Sequence, residues 1–253
     1  MNERARQKLI LALDFPTLEP ALELARSLSS IVGMFKINIQ LFTSQGPAAV
    51  EKLSQLGPGI FLDLKFHDIP NTVKGAVKSA LELPGVQLLD LHALGGTEMM
   101  RAAEQARDEA KLSKSAIVKL LAITILTSMD NAALRGVGIA GPPSRRVVQL
   151  ARLSRKAGMD GVVASPQEVR AIRRACGNDF LIVVPGIRPG ATSGSAGGRK
   201  GKTDDQARVA TPAEAIRAGA DYLVIGRPIT GAPDPGAAAR SILAEISSAL
   251  PRS

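Results

Sequence analysis

The sequence predicts an α/β fold: a single-domain (β/α)8 barrel spanning residues 1–253. Two observations carry this. Short apolar runs alternate with helical patterns from one end of the chain to the other, the order expected of βα units around a parallel sheet. Eight such units can be counted, and eight units in 253 residues fit a closed barrel. A doubly wound open sheet is the alternative. It wants a glycine-rich phosphate turn after its first strand, where this chain has Asp14-Phe15-Pro16.

In chain order, strand one is the apolar run 9–13, closed by Asp14 and followed by a helix at 18–28. Strand two, 34–37, precedes a helix at 47–56, and strand three, 60–64, precedes one at 71–81. Strand four, 88–91, leads to a helix at 98–110, and strand five is the long run 116–125, followed by a helix at 144–157. Strands six, seven and eight are 161–164, 181–184 and 222–225, with helices at 167–175, 211–218 and 235–250. The seventh helix has a marked start, with Thr211 as N-cap, Pro212 at the first helical position and Glu214 at the third. One connection is anomalous: residues 189–205 are rich in Gly, Ser and Lys without apolar periodicity, an extended loop of the kind that is either functional or disordered.

Charge gathers where a barrel does its chemistry, at the C-terminal ends of the strands. The run Phe61-Leu-Asp-Leu-Lys-Phe-His-Asp-Ile-Pro-Asn-Thr72 places Asp63, Lys65 and Asp68 on or just past strand three. Alternation along a strand puts Asp63 and Lys65 on one face and Leu62 and Leu64 on the other. Buried ions cost several kcal/mol each unless paired, so the placement implies a structural ion pair at a strand end or a chemical site. Asp14 closes strand one, Lys36 lies near the end of strand two, Thr127 and Ser128 follow strand five, Arg188 follows strand seven and Arg227 follows strand eight. Singly each reads as a cap or a solvated charge; together they point to a shared site. The loops Pro185-Gly186-Ile187-Arg188 and Gly226-Arg227 fit a phosphate, because glycine lets backbone N–H groups approach and arginine offers a bidentate fork.

Composition removes other functions. Hydrophobic residues at 45% and charged residues at 22% suit a folded globular protein, and no apolar run is long enough to span a bilayer. The N-terminal apolar segment is too short for a signal peptide, so a cytoplasmic location is expected. A single cysteine, Cys176, excludes an internal disulfide and any multi-cysteine metal site, and His67 and His92 lack tight metal-ligand spacing, so no metal is expected. The formal charge of +9 would suit nucleic acid, but the basic residues are scattered and aromatics are only 3%, which favours a small phosphorylated anion. Residues 196–203 nearly spell a P-loop, yet they are far from the preceding strand and do not open a helix.

The chain resembles the orotidine 5′-phosphate decarboxylase family. The resemblance rests on Leu11-Ala-Leu-Asp14, Phe35-Lys36, Asp63-x-Lys65-x-x-Asp68-Ile69, Leu126-Thr127-Ser128, Val162-Val-Ala-Ser-Pro-Gln167, Pro185-Gly-Ile-Arg188, Asp205-Gln206 and Ile225-Gly-Arg227, in order along the chain. It implies a homodimeric barrel acting on orotidine 5′-phosphate, with UMP and CO2 as products and no metal or organic cofactor. It further implies that Asp14 binds the ribose, that Lys36 bonds the sugar and joins a charge network, that Asp63 lies beside the substrate carboxylate and that Lys65 gives a proton to C6. Asp68, Ile69 and Thr72 would reach the partner subunit's site, Thr127 and Ser128 would lie near the base, and Arg188, Gln206, Gly226 and Arg227 would hold the phosphate. The chain departs from the family pattern between Arg188 and Gln206, where the loop is longer, carries Arg199, Lys200 and Lys202, and reads Asp204-Asp205-Gln206.

Two rival functions remain to be distinguished. Mg2+-dependent sugar-phosphate decarboxylases and aldolases of the same superfamily share the Asp-x-Lys-x-x-Asp motif, but they carry a glutamate ligand where this chain has Lys36, and a cation there repels Mg2+. A nucleic-acid binder would explain the charge and leave Asp63 unexplained.

Overall fold

The structure is a computed structural model and describes residues 2–111, 118–190 and 209–251. Eight parallel strands close a barrel in chain order: β1 (Leu9–Ala12), β2 (Met34–Asn38), β3 (Gly59–Phe66), β4 (Val86–His92), β5 (Lys119–Ile123), β6 (Gly161–Val163), β7 (Leu181–Val184) and β8 (Tyr222–Ile225). The expected barrel is therefore the observed one. Expected strand five was longer than β5: Thr124 and Ile125 leave the strand, and residues 116–117 lie outside the described residues.

The helices are α1 (Glu3–Lys8), α2 (Leu18–Leu28), α3 (Ile39–Gln45), α4 (Pro47–Ser54), α5 (Pro70–Leu81), α6 (Gly96–Lys111), α7 (Asn131–Gly136), α8 (Pro143–Lys156), α9 (Val169–Cys176), α10 (Pro212–Ala218), α11 (Arg227–Thr230) and α12 (Pro235–Ala249). The expected helices are all present, and α10 begins on the full capping box of Thr211 and Glu214. Sequence periodicity missed α1, α3, α7 and α11, which are four to seven residues long, too short for a 3.6-residue period to register. Side-chain caps fix three of them, and Asn2 accepts from Ala5 N at 3.3 Å to start α1. Asn38 accepts from Leu41 N at 2.9 Å to start α3, and Asp130 accepts from Ala132 and Ala133 N at 2.9 Å to start α7.

Two apolar layers hold the barrel. The larger lies between sheet and helices; the smaller fills the interior with Ile10, Ala12, Met34, Phe61, Leu88, Leu121, Val183 and Val224. Because strand side chains alternate, the residue two positions onward from an interior residue faces inward one layer higher. From Met34, Phe61 and Leu88 that step leads to Lys36, Asp63 and Asp90, all buried. An apolar floor thus becomes a charged layer within one pleat.

The opposite, N-terminal end of the barrel carries charge of another kind. Asp160, just before β6, accepts from Leu120 N of β5 at 2.9 Å and from Arg107 Nη1 of α6 at 2.5 Å. Asp221, just before β8, accepts from Ile182 N of β7 at 2.8 Å and from Arg173 Nη2 of α9 at 2.7 Å. Arg173 also donates to the carbonyls of Gly177, Asn178, Phe180 and Gly219 at 2.6–3.0 Å. Among the described residues no helix is long and apolar enough to cross a membrane.

Candidate active site

A cavity of about 340 Å³ opens at the C-terminal mouth of the barrel. Its floor is the charged layer. Lys36 Nζ lies 3.0 Å from Asp14 Oδ1 and 2.9 Å from Asp63 Oδ2, and Lys65 Nζ pairs with Asp63 Oδ1. Asn38 Nδ2 adds a hydrogen bond to Asp14 Oδ1 at 2.9 Å. The chain of charges runs Asp14, Lys36, Asp63, Lys65, each next to its opposite.

Burial and neighbours set the protonation of this row. Desolvation works against the Lys36 ammonium, but the carboxylates of Asp63 and Asp14 outweigh it and raise its pKa. Desolvation likewise works against the Asp63 carboxylate, yet the Lys36 ammonium, the neighbouring Asp90 side chain and the Lys65 ammonium hold it well below the usual carboxylate range. Each of Lys36 and Asp63 thus favours the charged form of the other.

Lys65 reaches Asp63 by a route that simple alternation did not predict. β3 and β4 pair Leu62 with Leu89 and next pair Phe66 with Leu91, so Asp63, Leu64 and Lys65 lie opposite the single residue Asp90. This is a bulge, and Lys65 within it has φ 54°, the only positive φ of a non-glycine among the described residues. The left-handed turn, rather than the pleat, sends the Lys65 side chain back over Asp63.

The remaining expected residues divide cleanly. Thr127 and Ser128 beyond β5, Arg188 beyond β7, and Gly226 and Arg227 beyond β8 line the same cavity, together with Pro185 and Gly186. Gly186 has φ 76°, which a side chain would strain. A Cβ on Gly226 would come within 3.3 Å of Ala12 Cβ and 3.5 Å of Asp14 Oδ2, so glycine keeps this wall open. Apolar cover comes from Phe61, Ile123, Ile125, Val163 and Val224. Arg188 N donates to Ala210 O at 2.9 Å, beside the bridge between Ile187 and Ala210. Residues 191–208, with Gln206, Arg199, Lys200, Lys202 and the near P-loop, lie outside the described residues.

Asp68, Ile69 and Thr72 are exposed and do not line this chain's cavity. Asp68 Oδ1 accepts from Ile69 N at 2.6 Å, at the start of α5. Sequence reasoning also missed two members of the polar layer, Asn38 and Asp90. Asp90 was visible as a carboxylate inside an apolar strand, in step with Leu88. His67 and His92 stack with ring centroids 5.4 Å apart, and among the described residues no group of His, Cys, Asp and Glu could hold a metal ion.

Residues 7–242 match the family model of the orotidine 5′-phosphate decarboxylase / HUMPS family. The chain belongs to that family. It is 53% identical over 245 residues to the orotidine 5′-phosphate decarboxylase of Geobacter sulfurreducens, covering 97% of this chain and 98% of the relative. To the enzyme of the same name from Moorella thermoacetica it is 52% identical over 244 residues, covering 96% and 93%. The crystal structure of orotidine 5′-phosphate decarboxylase from Lactobacillus acidophilus superposes with a TM-score of 0.78 at 37% identity, covering 94% of this chain and 98% of that one.

Proposed function

We propose that this protein is a carboxy-lyase that converts orotidine 5′-phosphate to UMP and CO2 in pyrimidine biosynthesis, without metal or organic cofactor. The family membership supports the reaction, and the paired row Lys36, Asp63, Lys65 on the cavity floor supports the mechanism. When the C6–CO2 bond breaks, its electron pair stays on C6 in an orbital orthogonal to the ring π system, so the ring cannot spread the charge. A positive group fixed beside C6 has to oppose it. Lys65 fills that role: its ammonium stabilises the developing carbanion, then passes a proton to C6, and solvent reprotonates the amine. The low reorganisation cost follows from charges already paired and oriented on the cavity floor. Asp63 keeps Lys65 in place and lies beside the substrate carboxylate. Asp14 and Lys36 hold the ribose, Thr127 and Ser128 meet the base, and Arg188, Gln206, Gly226 and Arg227 bind the phosphate.

The reading includes a two-fold dimer in which Asp68, Ile69 and Thr72 complete the neighbour's site. Their exposure supports it, as do Ile39, Ile69 and Leu94, which are 56, 67 and 44% exposed just beyond the adjacent strands β2, β3 and β4. The function is tested by following orotidine 5′-phosphate absorbance with EDTA present; turnover is expected, and none from the folded protein refutes it. For the shared site, Lys36→Ala and Asp68→Ala are each expected to be nearly inactive alone. After subunit exchange about a quarter of wild-type sites should return, because each heterodimer has one site with both lesions and one with neither. Verified exchange without recovery assigns Asp68 to its own subunit.

A further inference from the structure

Asp90 is fully buried at the middle of β4, and the mechanism above assigns it nothing. Its position is unusual in two respects. Oδ1 accepts from the backbone N–H of Lys65 at 2.8 Å, at the residue whose left-handed turn breaks the β3–β4 ladder. Oδ2 has no donor to accept from, which for a carboxylate sealed from water is a standing cost. A proton on Oδ2 removes that cost, because the Asp63 carboxylate is within hydrogen-bonding reach as acceptor.

We propose that Asp90 is a positioning residue held as a neutral acid, which clamps the strained backbone of Lys65 with one oxygen and donates a hydrogen bond to Asp63 with the other. It thereby fixes both partners of the ion pair from a single side chain. The bulge leaves Asp63, Leu64 and Lys65 opposite Asp90 alone, so a backbone-to-backbone bond cannot hold Lys65 N, and the side chain takes its place. Neutrality matters as much as geometry. Asp63 and Asp14 already present two carboxylates to a substrate that brings a third, and an ionised Asp90 would add another anion beneath them. Burial first, and then the negative Asp63, push the Asp90 carboxyl well above its ordinary range, in agreement with the geometry.

The inference rests on the proposed decarboxylation, and the test separates the two. Asp90→Leu keeps the volume and loses both hydrogen bonds. Its kcat should fall by about 100-fold, the scale of a misplaced catalytic group, while the KM and the affinity for UMP stay within about threefold. Asp90→Asn keeps an acceptor for Lys65 N and an N–H donor for Asp63, and should rescue kcat to within about tenfold of wild type by preserving both contacts. A role in charge rather than position predicts the reverse, with Asn as damaging as Leu, and overturns the proposal. If Asp90→Leu fails to fold, a kcat for Asp90→Asn more than about tenfold below wild type overturns the proposal. Infrared spectra of wild type minus Asp90→Asn at neutral pH should show a protonated-carboxyl band; its absence overturns the neutral acid. Wild-type protein inactive on orotidine 5′-phosphate, with that band present, refutes the reaction and leaves the neutral Asp90 standing.

Discussion

The two ends of the barrel use the same ion types to opposite ends. At the base, Asp160 and Asp221 each accept from a backbone N–H of a neighbouring strand and from an arginine on an outer helix. At the mouth, Lys36, Asp63 and Lys65 satisfy mainly one another and face a cavity. A charge tied to the backbone cannot follow a reaction, whereas one held by side chains around an open space can act on what enters. Buried charge here marks a site where its partners are other side chains and its remaining side faces a cavity.

Four variants test how complete that division is. Lys65→Ala should produce the largest effect, lowering turnover by about four orders of magnitude or more through loss of proton donor and field, with folding and UMP binding retained. Turnover within tenfold of wild type for the purified variant removes Lys65 from the mechanism. Arg227→Ala should weaken kcat/KM for the phosphorylated substrate by about 2–4 kcal/mol, and orotidine lacking phosphate should lose far less. Equal loss with both substrates means that Arg227 is not a phosphate ligand.

At the base the expectation reverses. Arg173→Ala strips five hydrogen-bonding partners from one guanidinium and should cost about 2–3 kcal/mol of stability, read as a lower urea midpoint, with kcat unchanged in the folded protein. A fall in kcat without loss of stability would show that the base of the barrel takes part in turnover. The smallest effect concerns His92, which burial, then the neighbouring His67 and Lys65, push down to about 4 from 6.5. The unfolded chain takes up that proton near pH 6.5 and the folded chain only near 4, so this contribution is present above pH 6.5 and lost as pH falls to about 4. Allowing for partial exposure it amounts to about 1–2 kcal/mol, and His92→Gln should flatten the acid limb of stability by that amount. An unchanged limb would show that His92 does not titrate with folding.

The barrel was legible because its strands are nearly continuous apolar runs and its main helices carry full turns of pattern. The short helices were not, since α7 and α11 depend on local caps and turns that no period reveals. Lys36, Asp63 and Lys65 stood out as charges within apolar strands. The geometry of Lys65 did not, because the bulge that turns it arises from how β3 registers against β4, a tertiary property. Asp90 was overlooked for a related reason: its significance lies in facing that bulge. Gln206 and most of the 189–205 loop lie outside the described residues.

The pleat that carries Met34 to Lys36 and Phe61 to Asp63 in two steps also constrains how this gene can change. A single-codon insertion between floor and mouth in β2 or β3 would turn the charged residue toward the helices and an apolar one into the cavity, losing chemistry and packing in one event. Lineages can therefore lengthen or shorten the connections beyond Arg188 while the spacing inside these strands stays fixed. Length variation among descendants should fall in the loops, and the two-residue steps should be inherited without gaps.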